Sequence, residues 1–120
     1  MSISNYLEEK LLDATAGTSY ASAGTYLQLH TGDPGEAGTA NAATEATRQS
    51  VSFASASSGS MASSGTVEWT NVAATETVSH WSLWDASTSG HCLWSGALAS
   101  SASLTAGDTF QITSLTLTLD

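Results

Sequence analysis

The stretch that decides the fold runs from Thr77 to Leu98 and reads TVSHWSLWDASTSGHCLWSGAL. Two apolar runs flank the turn-forming residues Asp85 to Gly90, a pattern that is typical of a β-hairpin. Alternate positions in the first run place Trp81 on one face and Trp84 on the other. A strand with bulky side chains on both faces is usually covered on both. We therefore predict that a second sheet, a helix or another chain covers each side of this hairpin.

The composition predicts one folded domain with a thin core. Leu, Ile, Val and Phe supply only 20 of 120 residues, and the net charge is -9. Such values approach those of disordered chains. Four Trp, three Tyr and a clear polar–apolar alternation favour a folded domain over residues 1–120. Because a core of this kind is marginal by itself, we expect oligomerisation or a partner to add stability.

The charge balance argues against nucleic acid and membranes as partners. Lys10 and Arg48 are the only Lys and Arg residues, against eleven carboxylates. This surface repels phosphates and anionic lipids. Glu8 and Glu9 stand where a signal peptide would carry basic residues, so synthesis in a cytoplasm without signal-dependent export is expected. The single Cys92 is interpreted as a small buried hydrophobe.

Residues 3–14 form the one credible helix in the sequence. Ile3, Leu7 and Leu11 fall on one stripe, and acidic residues with Lys10 fall on the other face. Two interpretations of the stripe are open. It covers an open end of the sheet, or it docks into a neighbouring subunit.

From Thr25 the apolar period changes to two, which predicts a strand with Leu27 and Leu29 on its inner face. The strand ends at a turn in which Asp33 precedes Pro34. Residues 35–47 contain no large apolar side chain and are predicted to form a long exposed loop. Loops of this length are often functional or reach a neighbouring subunit.

Arg48 follows this loop at the entrance to a strand. We expect its guanidinium either to pair with Glu36, Glu45 or an acid of another subunit, or to remain solvated.

The rest of the chain predicts further short strands. Residues 54–65 form a Ser-rich connector, flexible in composition, in which Met61 could still pair at a sheet edge. In the last run the apolar residues Phe110 and Ile112 stand at even-numbered positions, whereas Leu115, Leu117 and Leu119 stand at odd-numbered ones. This change of face requires a bulge or a strand that changes sheets. The fold class is therefore mainly β: an antiparallel, β-sandwich-like domain of about six or seven short strands with one N-terminal α-helix. The expected core residues are Leu27, Leu29, Phe53, Trp69, Trp81, Trp84, Trp94, Phe110 and Ile112.

No residue pattern indicates catalysis, a metal or another cofactor. The acidic turn residues lack the ligand spacing of a calcium loop. His80, His91 and Cys92 lack zinc-site spacing, although His80 and His91 would approach each other if the hairpin paired closely. There is no nucleophile elbow and no phosphate-binding loop. An aromatic platform for sugars, built from Trp81, Trp84 or Trp94, is the remaining binding site that the sequence suggests.

Several stretches carry a resemblance to a known group. The residues Tyr26-Leu-Gln-Leu-His-Thr-Gly-Asp-Pro-Gly-Glu-Ala-Gly-Thr39, Arg48-Gln-Ser-Val-Ser-Phe53, Val78-Ser-His-Trp-Ser-Leu-Trp-Asp-Ala86, Leu93-Trp-Ser-Gly-Ala-Leu98 and Asn5-Tyr-Leu-Glu-Glu-Lys-Leu-Leu-Asp13 resemble small virion proteins of tailed bacteriophages. Such proteins are described as tail-fibre-like, minor tail or head decoration proteins. The resemblance spans nearly the whole chain.

The resemblance implies a non-enzymatic structural protein of the virion. The leading expectation is a capsid decoration or cement protein, trimeric, that bridges subunits of the major capsid protein. The alternatives are a tail or tail-fibre-attachment subunit bound to tail proteins, and, from another class, a carbohydrate-binding module. The interface residues expected from the helix and the loop are Ile3, Leu7, Leu11, Asp33, Pro34, Glu36, Glu45 and Arg48.

Overall fold

The computed structural model describes residues 1–119, which form mostly short strands and one helix. In chain order these are β1 (Ser2–Ile3), α1 (Asn5–Thr15), β2 (Tyr26–His30), β3 (Gln49–Ser50), β4 (Ser60–Ala62), β5 (Val67–Trp69), β6 (Glu76–Trp84), β7 (Cys92–Leu104), β8 (Phe110–Ile112) and β9 (Thr116–Thr118). The mainly β fold with one N-terminal helix is confirmed. There are nine strands instead of six or seven, because two runs read as helix or connector contribute the short strands β1 and β4 and the last run is split into β8 and β9.

The predicted hairpin is the centre of the molecule. β6 and β7 pair antiparallel, and the five-stranded sheet has the order β1-β7-β6-β2-β3. Two small antiparallel sheets, β4-β9 and β5-β8, add Trp69, Ile112 and Leu117 to the same hydrophobic core. The last run therefore changes sheets between β8 and β9, which explains the shift in its apolar parity.

The two faces of the central sheet differ in chemistry. Opposite residues of antiparallel strands share a face, so Leu27 with Leu83 and Leu29 with Trp81 form an apolar face. Tyr26 with Trp84, Gln28 with Ser82 and His30 with His80 form a polar face. Residues 81–84 are all buried, as expected for a strand that is covered on both sides.

The expected core residues lie largely inside. Leu27 and Leu29 have no exposed surface, and Trp69 is 1% exposed. Phe53 and Phe110 are partly buried at the margin of the core, where Phe110 packs against Trp69 at 6.0 Å between ring centroids.

The helix begins at Asn5 because Ser4 caps it. The Ser4 side chain accepts a hydrogen bond from the Leu7 amide at 3.2 Å and donates one to the Cys92 carbonyl at 2.6 Å. Ile3 lies in β1, paired with Trp94 of β7, and is therefore outside the helix predicted over residues 3–14. Leu7 is buried against the sheet. No helix among the described residues is long and apolar enough to cross a membrane.

The Ser-rich connector contains a second hairpin. Ser57 and Ser60 exchange backbone hydrogen bonds across Ser58 and Gly59, whose φ angles are 52° and 76°. Positive φ at both central residues is the signature of the tight turn that suits the twist of a hairpin. Met61 then pairs with Leu117 of β9, so the edge-strand interpretation of this segment holds.

Candidate functional site

The segment from Thr31 to Thr47 folds back onto the polar face of the central sheet. Most of its residues are exposed, but Pro34, Gly38, Ala43 and Glu45 are buried. Gly38 has φ of 72°, and a Cβ there would lie 2.5 Å from the Cys92 sulfur. Glycine is therefore required for this close approach. The loop that was expected to reach a neighbour instead anchors to its own chain at several points.

Two carboxylates hold this segment in place. Glu76 accepts hydrogen bonds from the amides of Thr44 and Glu45 at 2.9 and 3.0 Å. Glu45 accepts one from the Ala73 amide at 3.0 Å. Hydrogen bonds from backbone N–H to a carboxylate are among the stronger ones. Glu45, expected at an interface, is thus 7% exposed and occupied within the chain.

Beneath the loop lies a buried hydrogen-bond network. The His30 Nδ1 lies 2.9 Å from the Ala40 carbonyl, and its Nε2 lies 2.7 Å from the Ser82 hydroxyl. The Trp84 indole N–H donates to the same hydroxyl at 2.7 Å. Since a carbonyl can only accept, the geometry assigns the imidazole proton to Nδ1 and makes Nε2 the acceptor from Ser82. Burial lowers the pKa of His30, in keeping with this neutral form.

The His30–Ser82 pair does not have the arrangement of a hydrolase. A nucleophilic serine needs an accessible hydroxyl and a base that a third group orients. Here the Ser82 side chain has no exposed surface, and a backbone carbonyl occupies Nδ1 where a triad has a carboxylate. The network therefore serves to satisfy polar groups beneath the loop.

Arg48 closes the end of the hairpin. Its guanidinium stacks on the Trp84 ring at 3.8 Å from the centroid. It donates hydrogen bonds to Gln28 at 3.0 Å and to the carbonyls of Ala86 and Ser89 at 3.0 and 2.6 Å. Within the described residues neither Glu36 nor Glu45 binds it, and oxygen acceptors and an aromatic ring surround the guanidinium instead. Of the alternatives expected for Arg48, pairing with Glu36 or Glu45 is therefore not found.

The hairpin turn itself is polar and ordered. Asp85 accepts a hydrogen bond from the His91 amide at 2.7 Å, and its other oxygen lies 3.1 Å from His91 Nδ1. The His91 ring stacks on Tyr6 with centroids 3.9 Å apart and planes 1° from parallel, and Lys10 lies 5.5 Å above the Tyr6 ring. The helix and the turn are therefore joined by one aromatic pair.

A groove of about 400 Å³ opens beside this pair, and its lining includes Asn5, Glu36, His91 and Cys92. Burial raises the pKa of the Cys92 thiol to about 11, so the sulfur is a poor nucleophile and metal ligand at neutral pH. His80 faces His30 on the central sheet instead of approaching His91. Residues 1–119 hold no group of three or more side chains able to bind a metal ion.

The tryptophans do not form an exposed platform. Trp81, Trp84 and Trp94 are 2%, 6% and 7% exposed. A sugar cannot stack on rings that are buried to this extent, so the carbohydrate-binding interpretation based on exposed tryptophan is wrong. Their bulk is needed to fill a core with few aliphatic residues.

Exposed apolar side chains are found instead at the helix end of the molecule, beside α1. A groove of about 390 Å³ is lined by residues of β1, α1 and the C-terminal strand region: Ile3, Glu8, Leu11, Leu12, Thr15 and Leu119. Leu12 is 70% exposed and Leu119 is 50% exposed. Leu12 and Leu119 were not among the interface residues predicted from the sequence. The signal for Leu12 was an apolar side chain beside the main stripe of the helix, and that for Leu119 was the last leucine of the alternating C-terminal run.

The predicted interface residues thus fall into two groups. Ile3 and Leu11 border the apolar groove, while Leu7 is buried beneath them. In the loop, Asp33 and Glu36 are exposed, with Asp33 accepting from the Gly35 amide and Glu36 from the Ser2 hydroxyl. The remaining three, Pro34, Glu45 and Arg48, are tied into the chain's own fold.

Comparison with known proteins gives one family. The family model described as "Podophage GP4 fiber I protein gp80" matches residues 2–120. A search of curated proteins gave no match. The matched range includes the hairpin, the loop and the helix, so the resemblance to virion proteins of tailed phages is confirmed across the fold.

Proposed function

The chain belongs to the podophage GP4 fiber I protein gp80 family of tailed-phage virion structural proteins, and on that premise we propose that it is a non-catalytic subunit of a tail fibre or of its attachment site. The observation that carries the proposal is the family match over residues 2–120. The fold supports it, because among the described residues Tyr20 carries the one buried side-chain polar atom without a hydrogen-bond partner, so the other buried polar side chains are engaged within the chain.

Capsid decoration is the competing placement. It was favoured by the expectation that residues 35–47 extend to a neighbouring capsid subunit. That support is weakened by the hydrogen bonds of Glu76 and Glu45, which bind the segment to its own domain. The matched family is named for a fibre, so we place the fibre first.

The two placements are separated by fractionating virions. We expect the tagged chain to remain with isolated tails and their fibres after capsids have been removed, with the major capsid protein as the marker for contamination. Recovery of the chain on tail-free capsids would instead establish decoration. Absence of the chain from purified virions would contradict both.

We further infer that the subunit forms a homo-oligomer, with a trimer expected, through the apolar groove at its helix end. The occupant is a second copy, because a thin core gains most from burying Leu12 and Leu119 in a closed ring of like subunits. Only one carboxylate, Glu8, lines this groove in a chain of net charge -9, so self-contact there brings few like charges together.

Leu12→Ser tests this oligomer, since the side chain is 70% exposed and its loss leaves the core intact. Sedimentation should give a trimer for the natural chain and for the helix control Ala14→Ser, and a monomer for Leu12→Ser. The melting temperature of Leu12→Ser should lie below that of the natural trimer and match that of the natural chain once dilution has dissociated it. A monomeric natural chain at high concentration would contradict the oligomer without touching the fibre assignment.

A further inference from the structure

A short piece of the loop covers His30, which lies at the end of β2. The imidazole has no exposed surface. The Ala40 carbonyl lies 2.9 Å from its Nδ1, and Ala42 forms a single antiparallel bridge with His30. Residues 39–42 themselves are all exposed. We call these four residues the flap, and they lie between the buried ring and water.

The ends of the flap are fixed more firmly than its middle. Gly38 before it and Ala43 after it are both buried. Between them, the Thr31 amide donates a hydrogen bond to the Asn41 carbonyl at 2.8 Å, and Asn41 itself has a φ of 53°, which side-chain-bearing residues seldom adopt. Because the flap side chains are exposed, opening it would uncover little apolar surface.

The hydrogen bonds beneath the flap suit only the neutral form of the ring. His30 Nε2 accepts from the Ser82 hydroxyl at 2.7 Å, and that hydroxyl accepts from the Trp84 indole N–H at 2.7 Å. A protonated Nε2 would donate instead, so the Ser82 hydroxyl would face two N–H donors and its own hydrogen would lose its acceptor. A buried donor without an acceptor is costly.

The groups around the ring do not compensate a positive charge. Its hydrogen-bond partners within residues 1–119 include no carboxylate. The charged or titratable groups that act on it, His80 opposite in β6 and Arg48 next to β3, both disfavour its protonation. Burial lowers the pKa of His30 more than the carbonyls of Ala40 and Asn41 raise it. Protonation is therefore favoured where water reaches the ring.

We propose that residues 39–42 form an acid-opened flap: protonation of His30 shifts them to an open position in which water hydrates the imidazole, while the sheet stays folded. Gly38 and Ala43 are the hinges, since they stand where the buried part of the loop gives way to the exposed part. The residues after the flap stay in place, because Glu76 binds the amides of Thr44 and Glu45.

The size of the effect follows from linkage. The ring has its ordinary pKa of about 6.5 when the flap is open and a lowered pKa when the flap is closed. The open fraction should be constant above the ordinary value. Below it, the open fraction should rise by up to about tenfold for each pH unit, until the pH falls below the lowered pKa.

Hydrogen exchange of the free chain measures this opening. The Thr31 and Ala40 amides donate to the Asn41 and Pro34 carbonyls in the closed flap. After correction for the pH dependence of intrinsic exchange, their protection should fall by up to about tenfold per pH unit below pH 6.5 and should not respond to low urea. The amides of residues 82 and 83 should be better protected and should lose protection with urea, because they open only with the whole domain.

His30→Gln and His80→Gln form a matched pair of variants on the same face of the sheet. His30→Gln keeps a polar side chain that does not titrate, so the protection of the flap should no longer depend on pH. His80→Gln should retain the pH dependence. The ring resonances of His30 in the natural chain provide a measurement that needs no variant, and they should titrate over the same pH range in which the flap loses protection.

Three results would overturn the inference. The first is protection of Thr31 and Ala40 that stays constant between pH 5 and 7.5. The second is protection equal to that of residues 82 and 83 at every urea concentration, since His30 would then be hydrated only when the domain unfolds. The third is loss of the pH dependence in His80→Gln but not in His30→Gln, which would assign it to His80. None of these results bears on the fibre assignment.

Discussion

Along β7, the half from Cys92 to Gly96 is buried, whereas the half from Ala97 to Ser103 is exposed or half-exposed. The first half carries Leu93 and Trp94 and is covered by β1 and α1 and, on its polar face, by the loop around Gly38. The second half carries only small side chains and one leucine. One strand thus contains both the most protected and the least protected part of the sheet.

The two halves of β7 therefore differ in what they contribute to the stability of the protein. In the covered half, large side chains and a complete set of neighbours supply folding free energy. In the half from Ala97 to Ser103, which we call the bare half, the side chains are mostly small and exposed and contribute little to the core. The folding free energy of the strand therefore comes mainly from its first half.

The largest loss of stability is expected from removing a large buried side chain next to the covered half of β7. Trp81→Ala should lower the free energy of unfolding by about 3–5 kcal/mol, because the ring is 2% exposed and leaves a cavity in a thin core. Urea denaturation measures this. The control Ser101→Ala, in the bare half, should change it by less than about 0.5 kcal/mol. Equal losses in both variants would abolish the distinction between the halves.

A smaller loss is expected from releasing the covering loop. Glu76→Ala leaves the amides of Thr44 and Glu45 without their acceptor and should cost about 1–3 kcal/mol. Hydrogen exchange at residues 43–45 should accelerate. Glu36→Ala removes an exposed carboxylate of the same loop and should leave exchange there unchanged. Unaltered exchange in Glu76→Ala would show that the loop is held by other contacts.

The third test uses pH. Burial lowers the pKa of His30, so the unfolded chain binds more protons than the folded one at pH values below the ordinary histidine pKa of about 6.5. Stability should be at its full value above that pH and should fall as the pH drops from there through the lowered pKa.

Replacing His30 by Gln should flatten this part of the stability curve. Denaturant midpoints between pH 5 and 7.5 provide the measurement. An unchanged slope in His30→Gln would assign the pH dependence to another group.

The smallest effect is expected at the hairpin end. Arg48→Lys loses the planar stack on Trp84 and at least one of its hydrogen bonds, which should cost about 0.5–1 kcal/mol. Lys10→Arg is the reverse exchange over the Tyr6 ring and should not destabilise the chain. If Arg48→Lys lowered the free energy of unfolding more than Glu76→Ala does, the hairpin turn, and not the loop, would be the main support of the covered half.

Local sequence patterns were sufficient to predict some of the helices and strands and insufficient to predict others. The hairpin, β2 and the helix were predicted because alternation, turn residues and an apolar stripe are local signals. The two-residue strands β1 and β3 carry no such signal and form only where the edge of a longer strand is nearby. The Ser-rich connector was read as flexible because its composition hides a tight turn at Ser58 and Gly59.

The candidate sites were harder to predict. Arg48 was singled out correctly as unusual, but its partners are carbonyls of the hairpin turn, which no charge pattern could indicate. Glu76 and His30 were not singled out, because their importance depends on residues 31 to 52 positions away that bring amides and a hydroxyl to them.

The sequence by itself determined that this chain is a mainly β domain built around the Thr77–Leu98 hairpin, since side-chain periodicity and turn chemistry act over a few residues. The tertiary structure alone decided which parts of that hairpin are covered, because burial depends on contacts between distant segments. It turned the long loop inward through Glu76 and left residues 97–103 exposed or half-exposed. The strand that carries much of the core is therefore buried over only part of its length.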